Sequence, residues 1–138
     1  MSEPISAGNV ASKWLALAEN DLATGRVLMA DTRLAPESAA FHFQQAAEKA
    51  LRSMLSASGA DIPFTHDLPR LARLVDTIAP DAGRSWPAAF APMNEYAVAT
   101  RYPGENQPVT AADLRAAEAA AAMVIGLAAA RMAPDRGV

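Results

Sequence analysis

Apolar positions recur at three- and four-residue spacing through most of this chain, the signature of helices that bury one face. From Val10 to Asp31, a wheel of about 100° per residue gathers Trp14, Leu15, Ala18, Leu22, Gly25, Leu28 and Met29 on one side, with Ser12 as a possible N-cap. Asp21 falls inside that apolar arc. The second helix is the clearest. Pro36 suits its first position, Glu37 its positive dipole end, and Gly59 its stop. Ala40, Phe43, Ala47, Ala50, Leu51, Met54 and Leu55 form its core face, with Gln44 among them. Phe41, Gln45, Glu48 and Arg52 make the adjoining band, with Lys49 next to it.

After a loop broken by Pro63, a third helix is predicted from Thr65 to Ala79, turning Leu68, Leu71, Leu74, Val75 and Ile78 inward. Pro69 is tolerable because it lies in the first turn. A fourth helix is predicted from a Ser85 cap, with Pro87 near its start. Phe90, Met93, Ala97 and Arg101 share one side of it, and Pro103 and Gly104 end it. Thr110 and Asp113 resemble a capping box that opens a fifth helix to Met132. The expectation is an all-α bundle of about five helices, one domain over residues 10–132, with flexible tails at 1–9 and 133–138.

Composition agrees with that. The chain has 138 residues, long enough for one core without staples. Half of it is apolar, nearly half of that alanine, and β-branched residues are scarce, which favours helix over sheet. With no cysteine there is neither a disulfide framework nor a thiolate metal site. A formal net charge of −3 without any basic run argues against a broad nucleic-acid-binding surface. No signal-peptide pattern opens the chain, and the alanine-rich stretch from Ala116 to Met132 reads as a core helix rather than a membrane span. By elimination the expected location is the cytoplasm.

Several polar residues stand where a bundle buries its side chains. A carboxylate at Asp21 needs a partner, because an unpaired buried charge costs several kcal/mol. Arg101, also inward-facing, is the expected one. The pair is either a structural bridge at a helix seam or a device that orients Arg101 towards an anionic ligand. Gln44 needs hydrogen bonds if buried. Gln45 and Lys49, four residues apart, are either a solvated or dimer-facing surface or an amide–ammonium rim touching a ligand. The histidines, His42 and His66, have no second His or Cys at metal-ligand spacing, so no metal site is expected. His66 sits at a helix start, where a neutral imidazole can cap or meet a ligand. Tyr96 and Tyr102 flank Arg101; Tyr102 is a candidate to stack on a base, and packing against a neighbouring helix is the expected use of at least one of the two. No nucleophile elbow and no glycine-rich phosphate loop occur.

In order along the chain stand Trp14-Leu15, Asp21-Leu22, the run from Phe41 to Leu51 (FHFQQAAEKAL), Thr65-His66-Asp67-Leu68, and Arg101-Tyr102-Pro103. In that order the chain resembles the HEPN-domain family (higher eukaryotes and prokaryotes nucleotide-binding), from about Lys13 to Met132. The resemblance implies an up-and-down helical bundle that forms a homodimer. It also implies one of two activities. Some HEPN domains are metal-independent ribonucleases carrying an Arg followed four to six residues later by a His. Others bind nucleotides or partner a small nucleotidyltransferase.

Here Arg101 is followed by Tyr102-Pro103-Gly104-Glu105-Asn106-Gln107-Pro108, and no histidine occurs after His66. That departure removes the group expected to move a proton at the reacting phosphodiester. The expectation is therefore a non-catalytic HEPN protein without a cofactor. Arg101 would pair with phosphate, with Lys49 adding charge, Gln45 and Tyr102 meeting base or sugar, and His66 nearby. Asp21, Gln44 and Glu48 would form the supporting polar seam. A nucleotidyltransferase partner in a toxin–antitoxin-type pair goes with it. The alternatives are a ribonuclease using Arg101 with Glu105 or a histidine of the other subunit, and a helical dimerisation module whose polar seam only sets register.

Overall fold

The computed structural model describes residues 7–98 and 108–132. Among them are five α-helices and no strand: α1 (Ala7–Ala30), α2 (Pro36–Ala57), α3 (Leu68–Ile78), α4 (Phe90–Met93) and α5 (Ala111–Met132). The chain is an all-α helical bundle, as its periodicity predicts.

α2 is the axis of the bundle, and its most extensive packing is against α1 and then α5. α1 and α2 run antiparallel: Ala11 meets Ser53 near one end, and Gly25 meets Phe43 towards the other. α5 lies antiparallel to α1, with Arg26 bonded to Glu118, and its last turn reaches Ser53 of α2 and Ser58 just beyond it. Small buried residues at seven-residue spacing on α1, Ala11, Ala18 and Gly25, let the two backbones approach closely. The predicted core face of α2 is buried throughout, with Phe43, Leu51, Met54 and Leu55 sealed from solvent. Each such side chain contributes about 1.5–3 kcal/mol by leaving water.

Helix ends follow local chemistry. Ala35, preceding a proline, is extended, and Pro36 starts α2. At the other end Gly59 takes a φ of 70°. Its N–H bonds the Ser56 carbonyl while that of Ala60 bonds the Leu55 carbonyl, forming a Schellman cap. The predicted capping box of α5 is present: the Thr110 N–H donates to Asp113 Oδ2 at 2.9 Å, and the Asp113 N–H to Thr110 Oγ1 at 3.0 Å.

Three boundaries differ from expectation. α1 begins upstream of Ser12, which lies exposed inside it. α3 begins at Leu68 rather than Thr65, because Asp67 is the cap that bonds the Arg70 N–H. Thr65 instead accepts from the Asp67 N–H, making a turn before the helix. Ile78, predicted inward, sits half out of the core in the last turn.

The largest correction concerns the fourth helix. Ser85 caps nothing, and residues 84–87 are not helical. α4 is one turn, continued by a 3₁₀ turn over Asn94–Ala97 and ended by an extended Val98. Pro87 and Pro92 explain it: each removes a backbone donor and disfavours helix in the residue before it. Phe90 and Met93 still reach the core, and Tyr96 is buried with them. Trp86 stacks on Phe90, with ring centroids 5.9 Å apart. Arg101, Tyr102 and the two predicted tails lie outside the described residues, apart from 7–9, which are helical.

Candidate functional site

The polar residues of α2 gather around two buried carboxylates, Asp21 from α1 and Glu48 from α2. Asp21 Oδ1 faces His42 Nδ1 at 2.9 Å, and Asp21 Oδ2 accepts from Lys49 Nζ at 2.5 Å. Both oxygens of the predicted buried carboxylate are thus engaged by α2. The expected Asp21–Arg101 pair lies outside the described residues. Lys49 is therefore no free ammonium on a rim but a half-buried cation clamped to α1.

Glu48 collects three donors. Gln44 Nε2 reaches Oε1 at 3.2 Å, Arg52 Nε reaches Oε2 at 3.1 Å, and His66 Nδ1 lies 2.7 Å from Oε1. Gln44 is fully buried and also donates to the His66 carbonyl. Gln45 donates to Gln44 Oε1 at 2.7 Å, so the two amides and the carboxylate form one chain of bonds. Such chains polarise one another in a low-dielectric interior.

Local sequence explains the geometry. Gln44, Glu48 and Arg52 are four residues apart and therefore stack along one side of α2. Gln45 and Lys49 form the neighbouring line, which faces α1 at Asp21. Arg52 continues past Glu48 to the loop before α3: Nη2 donates to the Thr65 carbonyl at 2.6 Å and Nη1 to that of Pro63 at 3.5 Å. Its guanidinium also lies 5.8 Å from the Trp14 ring. Asn94 fixes the loop from the far side, accepting from the Leu68 N–H and donating to Asp67 Oδ1. The loop's carbonyls are drawn inward, while His66 and Phe64 project outward; Phe64 is 98% exposed.

Each carboxylate is met by one basic side chain of α2 and by one imidazole: Lys49 and His42 at Asp21, Arg52 and His66 at Glu48. Of the two imidazoles, His66 is the more accessible, with 57% of its side chain exposed against 29% for His42. A carboxylate oxygen accepts, so the tautomer that fits both contacts has Nδ1 donating.

The structure thus brings together Asp21, Gln44, Gln45, Glu48, Lys49 and His66. Sequence reasoning missed His42, Arg52 and Asn94 as members. The i, i+4 spacing of Glu48 and Arg52 is a legible signal for one of them. His42 and Asn94 depend on tertiary placement and carry no local signature.

Elsewhere, Asp76 accepts from Arg84 and from Trp86 Nε1. Bonding to Arg84, helped by Trp86 and opposed by desolvation, holds the Asp76 carboxyl below the usual carboxylate range. A cavity of about 640 Å³ is lined by Met54, Ala79, Arg84, Leu127 and Arg131 among others, and by none of the cluster described above. Its two arginines are engaged, Arg84 by Asp76 and the Ala79 carbonyl, Arg131 by Ser58. No group of three or more His, Asp or Glu among the described residues is arranged to hold a metal ion. No described helix is long and apolar enough to cross a membrane.

Fold and site define a helical bundle with a polar cluster built around its central helix, on one side of which an imidazole reaches solvent. The sequence matches the HEPN domain family over residues 11–131, most of its length, and the chain belongs to that family. No curated protein and no solved structure matches it. Membership fits a nucleotide-related function in general.

Proposed function

We propose that this chain is a non-catalytic HEPN protein that binds a nucleotide and works as a homodimer beside a small nucleotidyltransferase, in a pair of toxin–antitoxin type. The observation that carries the nucleotide reading is the Glu48 network, which holds a half-exposed imidazole at a fixed place. Lys49 sits on the adjoining line of α2, and Arg101 and Tyr102 are assigned to phosphate and base from the sequence. The missing histidine after Arg101 supports a binding role rather than a cleaving one.

Calorimetric titration of ATP, GTP and AMP into the purified protein tests this, with Arg101→Ala alongside. Micromolar binding that is lost in the variant is the expected result. Binding that survives unchanged removes Arg101 from the site, and no binding to either protein overturns the nucleotide reading. Co-purification with a nucleotidyltransferase encoded beside the gene tests the partner.

One observation favours a second reading. A carboxylate-held imidazole with its other nitrogen towards solvent suits a general base, so a ribonuclease acting through His66 stands behind the binding reading. Absence of cleavage of single-stranded RNA in chelator would end it.

A further inference from the structure

We infer that the Phe64–His66 loop is the nucleoside subsite: Phe64 stacks on the base, and His66 Nε2 accepts a hydrogen bond from an N–H of the base or an O–H of the sugar. This rests on the nucleotide-binding reading above and deepens it. It assigns His66 to the nucleoside and not to phosphate.

Three arguments lead there. The first is the tautomer. His66 Nδ1 lies 2.7 Å from Glu48 Oε1, whose other oxygen accepts from Arg52 Nε, so Nδ1 is the ring nitrogen that donates. In the neutral imidazole the one N–H is then on Nδ1, and Nε2 of this 57% exposed side chain presents a lone pair. A lone pair attracts donors and repels phosphate oxygens. The second is rigidity. Three hydrogen bonds donated by Arg52 and Gln44 to the carbonyls of residues 63, 65 and 66, and one that Asn94 accepts from the Leu68 N–H, tie down the backbone of this loop. The backbone that carries both rings is therefore held before a ligand arrives, which lowers the ordering cost of binding to the loop.

The third is the placement of Phe64. It is the most exposed large apolar side chain among the described residues, at 98%. Its centroid lies 6.2 Å from that of His66, with the planes inclined by 61°. A planar ligand lying flat on the phenyl cannot also lie flat on the imidazole. It turns its edge that way, and the edge of a base carries its hydrogen-bonding groups. Aromatic stacking of this kind tolerates any base.

The test is titration of adenosine, guanosine and inorganic pyrophosphate, each separately, into the full chain at about pH 8, where free imidazole is neutral. Wild type is compared with Phe64→Ala, His66→Ala and Glu48→Gln. Phe64→Ala removes a solvent-exposed ring and leaves the fold intact, so it remains informative even if Glu48→Gln fails to fold. The expected result is nucleoside affinity lowered about tenfold by Phe64→Ala and about fivefold by His66→Ala, with pyrophosphate affinity unchanged. Nitrogen-15 NMR of the free protein is expected to show an unprotonated His66 Nε2.

Equal weakening of pyrophosphate and nucleoside by His66→Ala would make His66 a phosphate contact and overturn the inference while leaving the nucleotide reading standing. So would nucleoside affinity unaffected by both loop variants. A fall in oligomeric mass on Phe64→Ala, with nucleoside affinity intact, would make the ring a self-association contact instead. Failure of wild type to bind any of the three ends both this inference and the reading beneath it.

Discussion

Replacing Gly25 by alanine is expected to destabilise the protein, although alanine is the better helix former. A Cβ at position 25 would lie 2.5 Å from Phe43 Cε1 and 2.7 Å from Cδ1. Both are well inside ordinary carbon–carbon contact, the nearer by about 1 Å. Phe43 is fully buried, so its ring has no empty space to swing into. Either the ring leaves its rotamer or α1 moves off α2. Overpacking at the upper end of the usual range costs about 3 kcal/mol. The helix-propensity gain of Gly→Ala returns about 1 kcal/mol. The net loss is about 2 kcal/mol. With an m-value of about 1.5 kcal/mol per molar urea, the unfolding midpoint falls by more than 1 M, measured by circular dichroism at one fixed protein concentration. Phe43→Leu vacates the space, so the double variant Gly25→Ala/Phe43→Leu is expected to be more stable than the two single losses added together. A neutral or stabilising Gly25→Ala would refute the argument, because it would mean that the helices do not approach this closely.

Two further outcomes follow from other positions. Gly59→Ala meets no atom but must hold a φ of 70°, so it is expected to cost about 1 kcal/mol through backbone conformation alone. Gly59→Asn is expected to cost less, and equal midpoints for all three proteins would contradict the Schellman cap. The Asp76 carboxyl is held below its ordinary value in the folded state by Arg84. Its contribution is therefore complete above the unfolded carboxylate pKa of about 3.9 and is lost as pH falls through the lower folded value. Asp76→Asn is expected to be less stable than wild type at pH 7, by under about 1 kcal/mol for a part-exposed pair. Below about pH 4 the two are expected to converge, with Trp86 fluorescence in urea as the readout. A difference that persists unchanged into acid would disprove the linkage.

Where structure is set by chemistry within one turn, the sequence was enough. Pro36, Gly59 and the Thr110–Asp113 box each act on backbone groups four or fewer residues away, and each does in the fold what its type predicts. The core face of α2 was legible for the same reason: a period of 3.6 is a local property. In the described part of the predicted fourth helix, proline outweighs spacing. Phe90, Met93 and Ala97 have helical spacing, yet Pro87 and Pro92 leave only one α-turn and a 3₁₀ turn.

At the site, sequence found the buried carboxylate of Asp21 but not its described partners. His42 and Lys49 reach Asp21 only because α1 and α2 run antiparallel with Gly25 on Phe43, which sets their axial register. Asn94 is a similar case. Its role in holding Asp67 and Leu68 exists only once α3 and the 3₁₀ turn have been brought side by side. A side chain whose function is to fix a remote loop leaves no periodic trace.

The two buried carboxylates differ in what they hold. Asp21 binds His42 and Lys49, both half-buried, and joins α1 to α2. A role in setting helix register accounts for all of that, since a buried polar contact in one place disfavours sliding. Glu48 binds Arg52 inside the bundle and His66 at its surface. Register does not require an exposed imidazole, and an apolar residue at position 48 would fill the same space without desolvating a charge. Through Arg52 and Gln44 the same network also fixes the carbonyls of residues 63, 65 and 66, so the order of an exposed loop depends on a buried charge. Burying a carboxylate costs several kcal/mol before its bonds are counted. That cost is set against the order of the loop and of the exposed ring it carries, which is the surface the proposed ligand would meet. The proposed nucleotide site uses the Glu48 half of the cluster, while the Asp21 half joins the two helices beneath it.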